Sequence, residues 1–268
     1  MNYFYGDANV EYCVPEEFLQ AYKYVEDNFH TVEGSNSADI VVGCCCEGDC
    51  SEKDCICLAQ SSENYNRDST LVFIDDLLTD PYFSKAVFEC NSCCICSASC
   101  RNRVVQRGLK FRLRVCETAG KGFGVIAVEN IAKGSYVIDY AGELLSMDEA
   151  RKRIITKKED ESNYLLTVCE NFGDKSVQTF IDAAKFGNVS RFINHSCSPN
   201  LLLHPVRVET SIPRLALFAK RDILVGEELS FDYGGGAPNQ RSSSGTKNIV
   251  CCCNAVNCQG FLPAEPLN

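Results

Sequence analysis

Between residues 111 and 233 apolar and polar positions alternate in short runs: FRLRVCE, GFGVIAV, SYVIDYAGELL, NYLLTVCE, TFIDA, LALFAKRDI and EELSFDY. Each run is cut off by glycine or by a polar pair after about ten residues, which is the period-two signature of half-buried strands between turns. The pattern predicts a mostly β domain with few helices, built from several small sheets. One stretch departs from it. Near residues 147 to 159 the spacing turns helical, and Ser146 followed by Glu149 makes a capping box at its start. The basic run inside it, Arg151 to Lys158, reads as the solvated face of that helix rather than as a nuclear-import or phosphate-binding signal. The flanking text divides the chain further. Residues 1–40 form a mixed N-terminal segment with an apolar-polar run too short to assign, and residues 41–101 hold two cysteine clusters separated by a polar insert and the apolar stretch LVFIDDLL. The β-rich part spans 102–233, GGGAPNQRSSSG marks a flexible linker over 234–248, and 249–268 carries a third cysteine cluster with an apolar tail, QGFLP.

Composition narrows the classes. A chain of 268 residues with 45% hydrophobic positions buries a sizeable core. No segment approaches the ~20 apolar residues of a membrane span, and the N-terminus has no basic region ahead of an unbroken apolar stretch, so a soluble intracellular protein is expected. The net charge of −10 argues against a nucleic-acid surface and favours a basic partner. Nineteen cysteines, an odd number with several adjacent pairs, fit metal thiolate better than a disulfide framework or a set of buried or redox-sensing thiols.

Their spacing specifies the metal. The first cluster offers Cys44, Cys46, Cys50, Cys55 and Cys57, and the second offers Cys90, Cys94, Cys96 and Cys100. Nine thiolates satisfy three tetrahedral zinc ions if three sulfurs bridge and six are terminal. Cys45 and Cys93 are then spare, and spacing does not decide which of each adjacent pair binds. The third cluster supplies Cys251, Cys253 and Cys258, with Cys252 spare, and lacks a fourth ligand. Cys197 in RFINHSCSPN is the candidate that would clamp the C-terminal tail back onto the β-rich part. The expected load is about four structural zinc ions per chain. A rival reading pairs Cys197 with His195 as nucleophile and base, but no third orienting group or hydrolase signature accompanies them.

The order of ECNSCCICSASCRNRVVQRG, GKGFGV, DYAGE, RFINHSCSPN and ELSFDYG resembles the SET-domain protein-lysine methyltransferases of the suppressor-of-variegation clade, with pre-SET, SET and post-SET parts, over about residues 40 to 263. Within that clade FECN, CRNRVVQ and LLLHPVRVETSIPRLALFAKRDI are most similar to a branch in which the SET part is joined to a mariner transposase. The resemblance implies a SET fold, a zinc-cluster pre-SET and a zinc-stapled post-SET. It implies S-adenosylmethionine as methyl donor, held by the loop Lys121, Gly122, Phe123 and Gly124, by Asn194 and His195, and by Tyr164 and Arg191. It also makes Tyr233 the catalytic tyrosine, with Tyr140 and Phe231 lining the channel for the target lysine. A lysine of pKa ~10.4 must lose its proton before it attacks, and an apolar channel beside a sulfonium favours that loss. The implied partner is the basic histone H3 tail, at lysine 9 from the clade or lysine 36 from the closer branch, in nuclear chromatin. With all proposed thiolates ionised around zinc the chain would carry about −15, which suits a basic peptide. Phenylalanine at 231 predicts two or three methyl groups per lysine. The alternatives are an inactive zinc-dependent module that only binds the tail, and a methyltransferase of a non-histone protein.

Overall fold

The computed structural model describes residues 7–30, 42–51, 55–80, 83–158, 161–235 and 249–263. Residues 236–248 of the expected linker lie outside the described residues. Strands Leu113–Thr118 and Gly122–Ala127 close as a hairpin because Gly120 and Gly122 both take φ of +73°, a conformation that a side chain would oppose. This hairpin anchors a five-stranded sheet in the order Val10–Cys13, Leu113–Thr118, Gly122–Ala127, Glu228–Phe231, Asn194–His195. The register sets Asn194 beside Ser230 and His195 beside Phe231 in parallel. Thus the pattern of short strands brings NHSC and LSFDY, more than thirty residues apart in the chain, onto neighbouring rows. Leu113, Val115, Val125 and Leu229 are completely buried beneath this sheet.

Two further four-stranded sheets flank it. One runs Phe29–His30, Glu143–Leu145, Lys175–Asp182, Leu165–Phe172, leaving Leu165–Phe172 on an edge. The other runs Val87–Phe88, Leu201–Arg207, Arg214–Ala219, Tyr136–Tyr140. Helix Met147–Thr156 starts where the capping box places it, with the Ser146 hydroxyl accepting from the Glu149 N–H at 3.2 Å. Its basic run is only partly a solvated face. Arg153 points inward, 2.8 Å from Glu143 Oε2 and 2.6 Å from Asp182 Oδ2, because two buried carboxylates on adjacent strands need a cation.

The N-terminal run too short to assign is strand Val10–Cys13, parallel to Leu113–Thr118, and helix Ile74–Thr79 begins within LVFIDDLL. The cysteine-rich part is tied to the β-rich part by Glu89. Its buried carboxylate accepts from the Tyr65 hydroxyl at 2.8 Å, from the Val104 and Val105 N–H groups at 2.9 and 2.7 Å, and from the Gln106 amide at 2.9 Å. Among the described residues no helix is long and apolar enough to cross a membrane.

Candidate active site and thiolate centres

The nine cysteines expected in the pre-SET cluster converge. Cys44, Cys50, Cys55, Cys57, Cys90, Cys96 and Cys100 are buried together, with Cys46 and Cys94 packed against them. Their sulfurs fall into overlapping tetrads whose members lie within 4.8 Å of one another: Cys44, Cys57, Cys90 and Cys94; Cys44, Cys46, Cys50 and Cys55; and Cys44, Cys50, Cys90 and Cys96. Cys44, Cys50 and Cys90 recur, as bridging sulfurs must. Pairing them two at a time leaves Cys57 with Cys94 and Cys46 with Cys55 as terminal pairs, and on the nine-thiolate count Cys100, outside these tetrads but buried in the same cluster, completes the third pair with Cys96. Zinc holding sulfurs at about 2.3 Å sets neighbouring sulfurs about 3.8 Å apart. The Cys44–Cys50 and Cys50–Cys90 separations are 3.5 and 3.6 Å, far beyond a disulfide bond of about 2.05 Å. The residues fit zinc. Hydrogen bonding from Cys90 lowers the Cys57 and Cys100 thiols, while burial and the same shared hydrogen bonds raise Cys50 and Cys90, so full deprotonation of the cluster would come with metal binding. Backbone N–H groups of Cys44 and Asn91 donate to Cys94 Sγ at 3.3 and 3.2 Å, and Arg103 donates to Cys96 Sγ at 3.5 Å, which offsets the cluster's negative charge. Cys45 and Cys93 are exposed and stand outside the cluster.

Cys197, Cys251, Cys253 and Cys258 form the second centre, again within 4.8 Å of one another, with Cys252 outside it. Cys197 and Cys251 are 3.9 Å apart. The Gln259 N–H donates to Cys197 Sγ at 3.4 Å and Asn257 Nδ2 to the Cys197 carbonyl at 2.9 Å, so the C-terminal segment docks where the tail was expected to fold back. Leu262 and Pro263 of that segment line a cleft of about 2470 Å³.

Apart from Gly124, the other candidate residues line this cleft. Tyr233 donates its hydroxyl to the Ile193 carbonyl at 2.8 Å, and Tyr140 donates to the Tyr164 carbonyl at 2.6 Å. Phe231 stands between them, its ring 4.7 Å from Tyr233 and 6.3 Å from Tyr140. Burial pushes the Tyr140 phenol well above the usual tyrosine range, and desolvation of the Tyr233 hydroxyl raises it too, although that residue as a whole is 37% exposed. They are therefore neutral donors and acceptors and not bases. Arg191 lies flat between Tyr22 and Tyr164, its guanidinium carbon 4.2 and 4.1 Å from the two ring centres, while Nε donates to the Ala183 carbonyl at 3.0 Å.

The glycine-rich loop has a local reason as well as any close approach of a ligand. At Gly124 a Cβ would stand 2.6 Å from the Thr118 methyl, 2.9 Å from Glu228 Oε1 and 3.0 Å from Asn194 Nδ2. Phe123 stacks edge-on against Phe18 at 4.8 Å, and Lys121 pairs with Glu228 at 2.6 Å. Glu228, Phe18 and Tyr22 carried no signal of their own in the chain; Glu228 sits inside EELSFDY, and only its distant neighbours give it a role.

His195 lies at the cleft with its side chain only 2% exposed, so little of the ring is open to a ligand. Its Nδ1 accepts from the Tyr233 N–H at 3.2 Å, so the hydrogen is assigned to Nε2, which faces Cys197 Sγ at 3.4 Å. Burial lowers its pKa and keeps it neutral. A histidine that donates to the thiol cannot deprotonate it, and Cys197 is committed to three other sulfurs, so the nucleophile-base reading finds no support here.

Comparison with known proteins agrees with this geometry. Residues 122–234 match the SET domain family and residues 8–103 the Pre-SET motif family. The chain is 44% identical over 232 residues to the histone-lysine N-methyltransferase SETMAR of Mus musculus, covering 83% of this chain and 74% of that protein. It is 42% identical over 225 residues to the probable histone-lysine N-methyltransferase set-23 of Caenorhabditis briggsae, covering 82% and 87%. The crystal structure of the methyltransferase domain of human SETMAR superposes with a TM-score of 0.82 at 38% identity, over 95% of this chain and 93% of that one. KRYPTONITE, solved with mCHH DNA, an H3(1-15) peptide and SAH, superposes with a TM-score of 0.74 at 28% identity, over 94% of this chain and 50% of that one.

Proposed function

Because the chain belongs to the family of histone-lysine N-methyltransferases in which a Pre-SET motif precedes a SET domain, we propose that it transfers methyl groups from S-adenosylmethionine to lysine 9 or lysine 36 of the histone H3 tail, in nuclear chromatin. The observation that carries the reading is the convergence of Tyr233, Phe231 and Tyr140 on a cleft that the thiolate-held segment 249–263 also lines, with Pro263 packed beside Gly234. On this reading residues 41–101 are a structural three-zinc part, 102–233 the catalytic part and 249–268 the zinc-held lid of the channel.

The donor supplies an electrophilic methyl on a sulfonium. Asn194 with Lys121, Gly122, Phe123 and Gly124, together with Arg191 and Tyr164, would hold it. The fit rests on the Asn194 amide, whose Nδ2 is spent on the Phe123 carbonyl and Glu228 while its Oδ1 has no partner among the described residues. That oxygen is an acceptor ready for an ammonium group. The target lysine enters beside Phe231 and Tyr140, where aromatic walls desolvate it and favour the neutral amine. Tyr233 orients the reacting groups through its oxygen lone pairs, its proton being held by Ile193. The lysine proton leaves to solvent, since no nearby phenol can take it. An extended peptide paired along the edge strand Leu165–Phe172 gives the tail its place.

Product number follows from Phe231. A hydroxyl at this position would hold a water beside the amine, and each added methyl would have to displace that water and lose its hydrogen bonds. Phenylalanine holds no such water, so the enzyme is expected to reach dimethyl and trimethyl lysine. Phe231→Tyr is expected to stop at monomethyl lysine with the first transfer slowed less than about threefold. Mass spectrometry of a peptide taken to completion checks this; a wild type that stops at monomethyl, or an unchanged variant, contradicts it.

A further inference from the structure

We propose that Glu228 is a positioning residue that fixes which end of the Asn194 amide faces the cleft, and through it the affinity for the amino-acid end of an S-adenosyl ligand. This rests on the assignment of the cleft to S-adenosylmethionine. Glu228 belongs to strand Glu228–Phe231, two residues before Ser230, which pairs with Asn194. Its backbone is held in turn: Asn200, itself 3% exposed, donates Nδ2 to the Glu228 carbonyl at 2.9 Å and accepts from the Ser230 N–H at 2.9 Å. From that fixed base the carboxylate spans two partners, with Oε1 taking Asn194 Nδ2 at 2.9 Å and Oε2 taking Lys121 Nζ at 2.6 Å.

An asparagine amide can sit either way round at small cost unless its neighbours choose. Here both hydrogens of Nδ2 are claimed by acceptors, Glu228 Oε1 and the Phe123 carbonyl at 3.1 Å, so the nitrogen faces the protein and Oδ1 faces the cleft. The oxygen is the end that an ammonium needs. The bond also accounts for the second glycine of GFG, because a methyl group at Gly124 would stand within 3.0 Å of both Glu228 Oε1 and Asn194 Nδ2 and push them apart. In Glu228→Gln, Lys121 captures the single amide oxygen and leaves an NH₂ facing the Asn194 NH₂. Two donors then meet, and the asparagine is driven to turn its nitrogen toward the ligand's cation.

The measurement is the affinity of the zinc-loaded chain for two neutral-sulfide ligands by calorimetry: S-adenosylhomocysteine, which carries the ammonium, and 5′-methylthioadenosine, which has the same nucleoside and lacks the amino-acid end. Glu228→Gln is expected to weaken S-adenosylhomocysteine about tenfold and leave methylthioadenosine within about twofold. Combined with Asn194→Ala it is expected to add nothing beyond the loss from Asn194→Ala alone, since it acts through that amide. Glu228→Asp, one methylene shorter and unable to reach both partners, is the second variant and is expected to give the same selective loss. An equal loss for both ligands, as general loosening of the loop would cause, overturns the proposal, and so does unchanged affinity in both variants. A wild type that binds neither ligand overturns the assignment of the cleft and takes the proposal with it.

Discussion

Tyr233→Phe is expected to lower kcat by about 10²- to 10³-fold while leaving KM for the peptide within about threefold. The substitution removes one oxygen and little else. The ring keeps its contacts with Phe231 at 4.7 Å and His195 at 5.4 Å, and the backbone N–H of residue 233 still donates to His195 Nδ1. Lost are the hydrogen bond to the Ile193 carbonyl and, on the proposed function, the lone pairs that would face the reacting methyl. Because desolvation raises the phenol above its usual value and leaves it protonated at neutral pH, the loss is one of orientation and electrostatics and not of a base. The pH profile of the residual activity should accordingly keep its shape. Single-turnover methylation across pH measures both quantities; a variant within threefold of wild type, or a profile that loses a limb, contradicts the role given to Tyr233.

Cys197→Ser is expected to take activity below detection, more than about 10³-fold, and zinc from about four to about three ions per chain. Segment 249–263 has almost no structure of its own beyond an isolated bridge between Val250 and Phe261. A segment without a core takes its fold from the metal that four thiolates hold. Serine cannot replace the thiolate, and once the centre opens Ile249, Val250, Leu262 and Pro263 leave the cleft wall. The nine-cysteine cluster shares no ligand with this centre and should keep its three ions. Cys252→Ser, one residue from two ligands and outside the tetrad, is the control and is expected to retain about four ions and wild-type activity. Elemental analysis with a methylation assay reads both, and full activity in Cys197→Ser would mean that the fourth ligand lies elsewhere.

Much of this site was legible in the chain because spacing carries chemistry. Nine plus four thiolates, the helix at Ser146 and the succession of strands all follow from local patterns, and those patterns are what the fold uses. Which cysteine of an adjacent pair turns inward is not local. Gly43 packs so closely on the Cys93 backbone that a Cβ there would come within 2.3 Å of the Cys93 carbonyl oxygen, and this contact, fifty residues away in the chain, helps set Cys94 inward and Cys93 outward. Strand Leu201–Arg207 was obscured by Pro205, which breaks the usual strand pattern. It is tolerated because pairing with Val87–Phe88 involves only Val206 and Arg207. Helices Glu16–Gln20, Ile56–Ser61 and Ile74–Thr79 lack side-chain caps and are held by tertiary contacts, so nothing local announces them. Arg153 looked like one more solvated cation of a basic run, and only the buried Glu143 and Asp182 on neighbouring strands show why it points inward.

The central claim is that this cleft methylates lysine on a basic tail. It is tested most directly by incubating the zinc-loaded chain with isotopically labelled S-adenosylmethionine and histone H3 peptides that contain lysine 9 or lysine 36, then locating the label by mass spectrometry. Label on one of these lysines, accumulating as dimethyl and trimethyl and abolished when that lysine is replaced by arginine, is the predicted result; absence of label from both peptides and from intact histone H3, with zinc present at about four ions per chain, would contradict it.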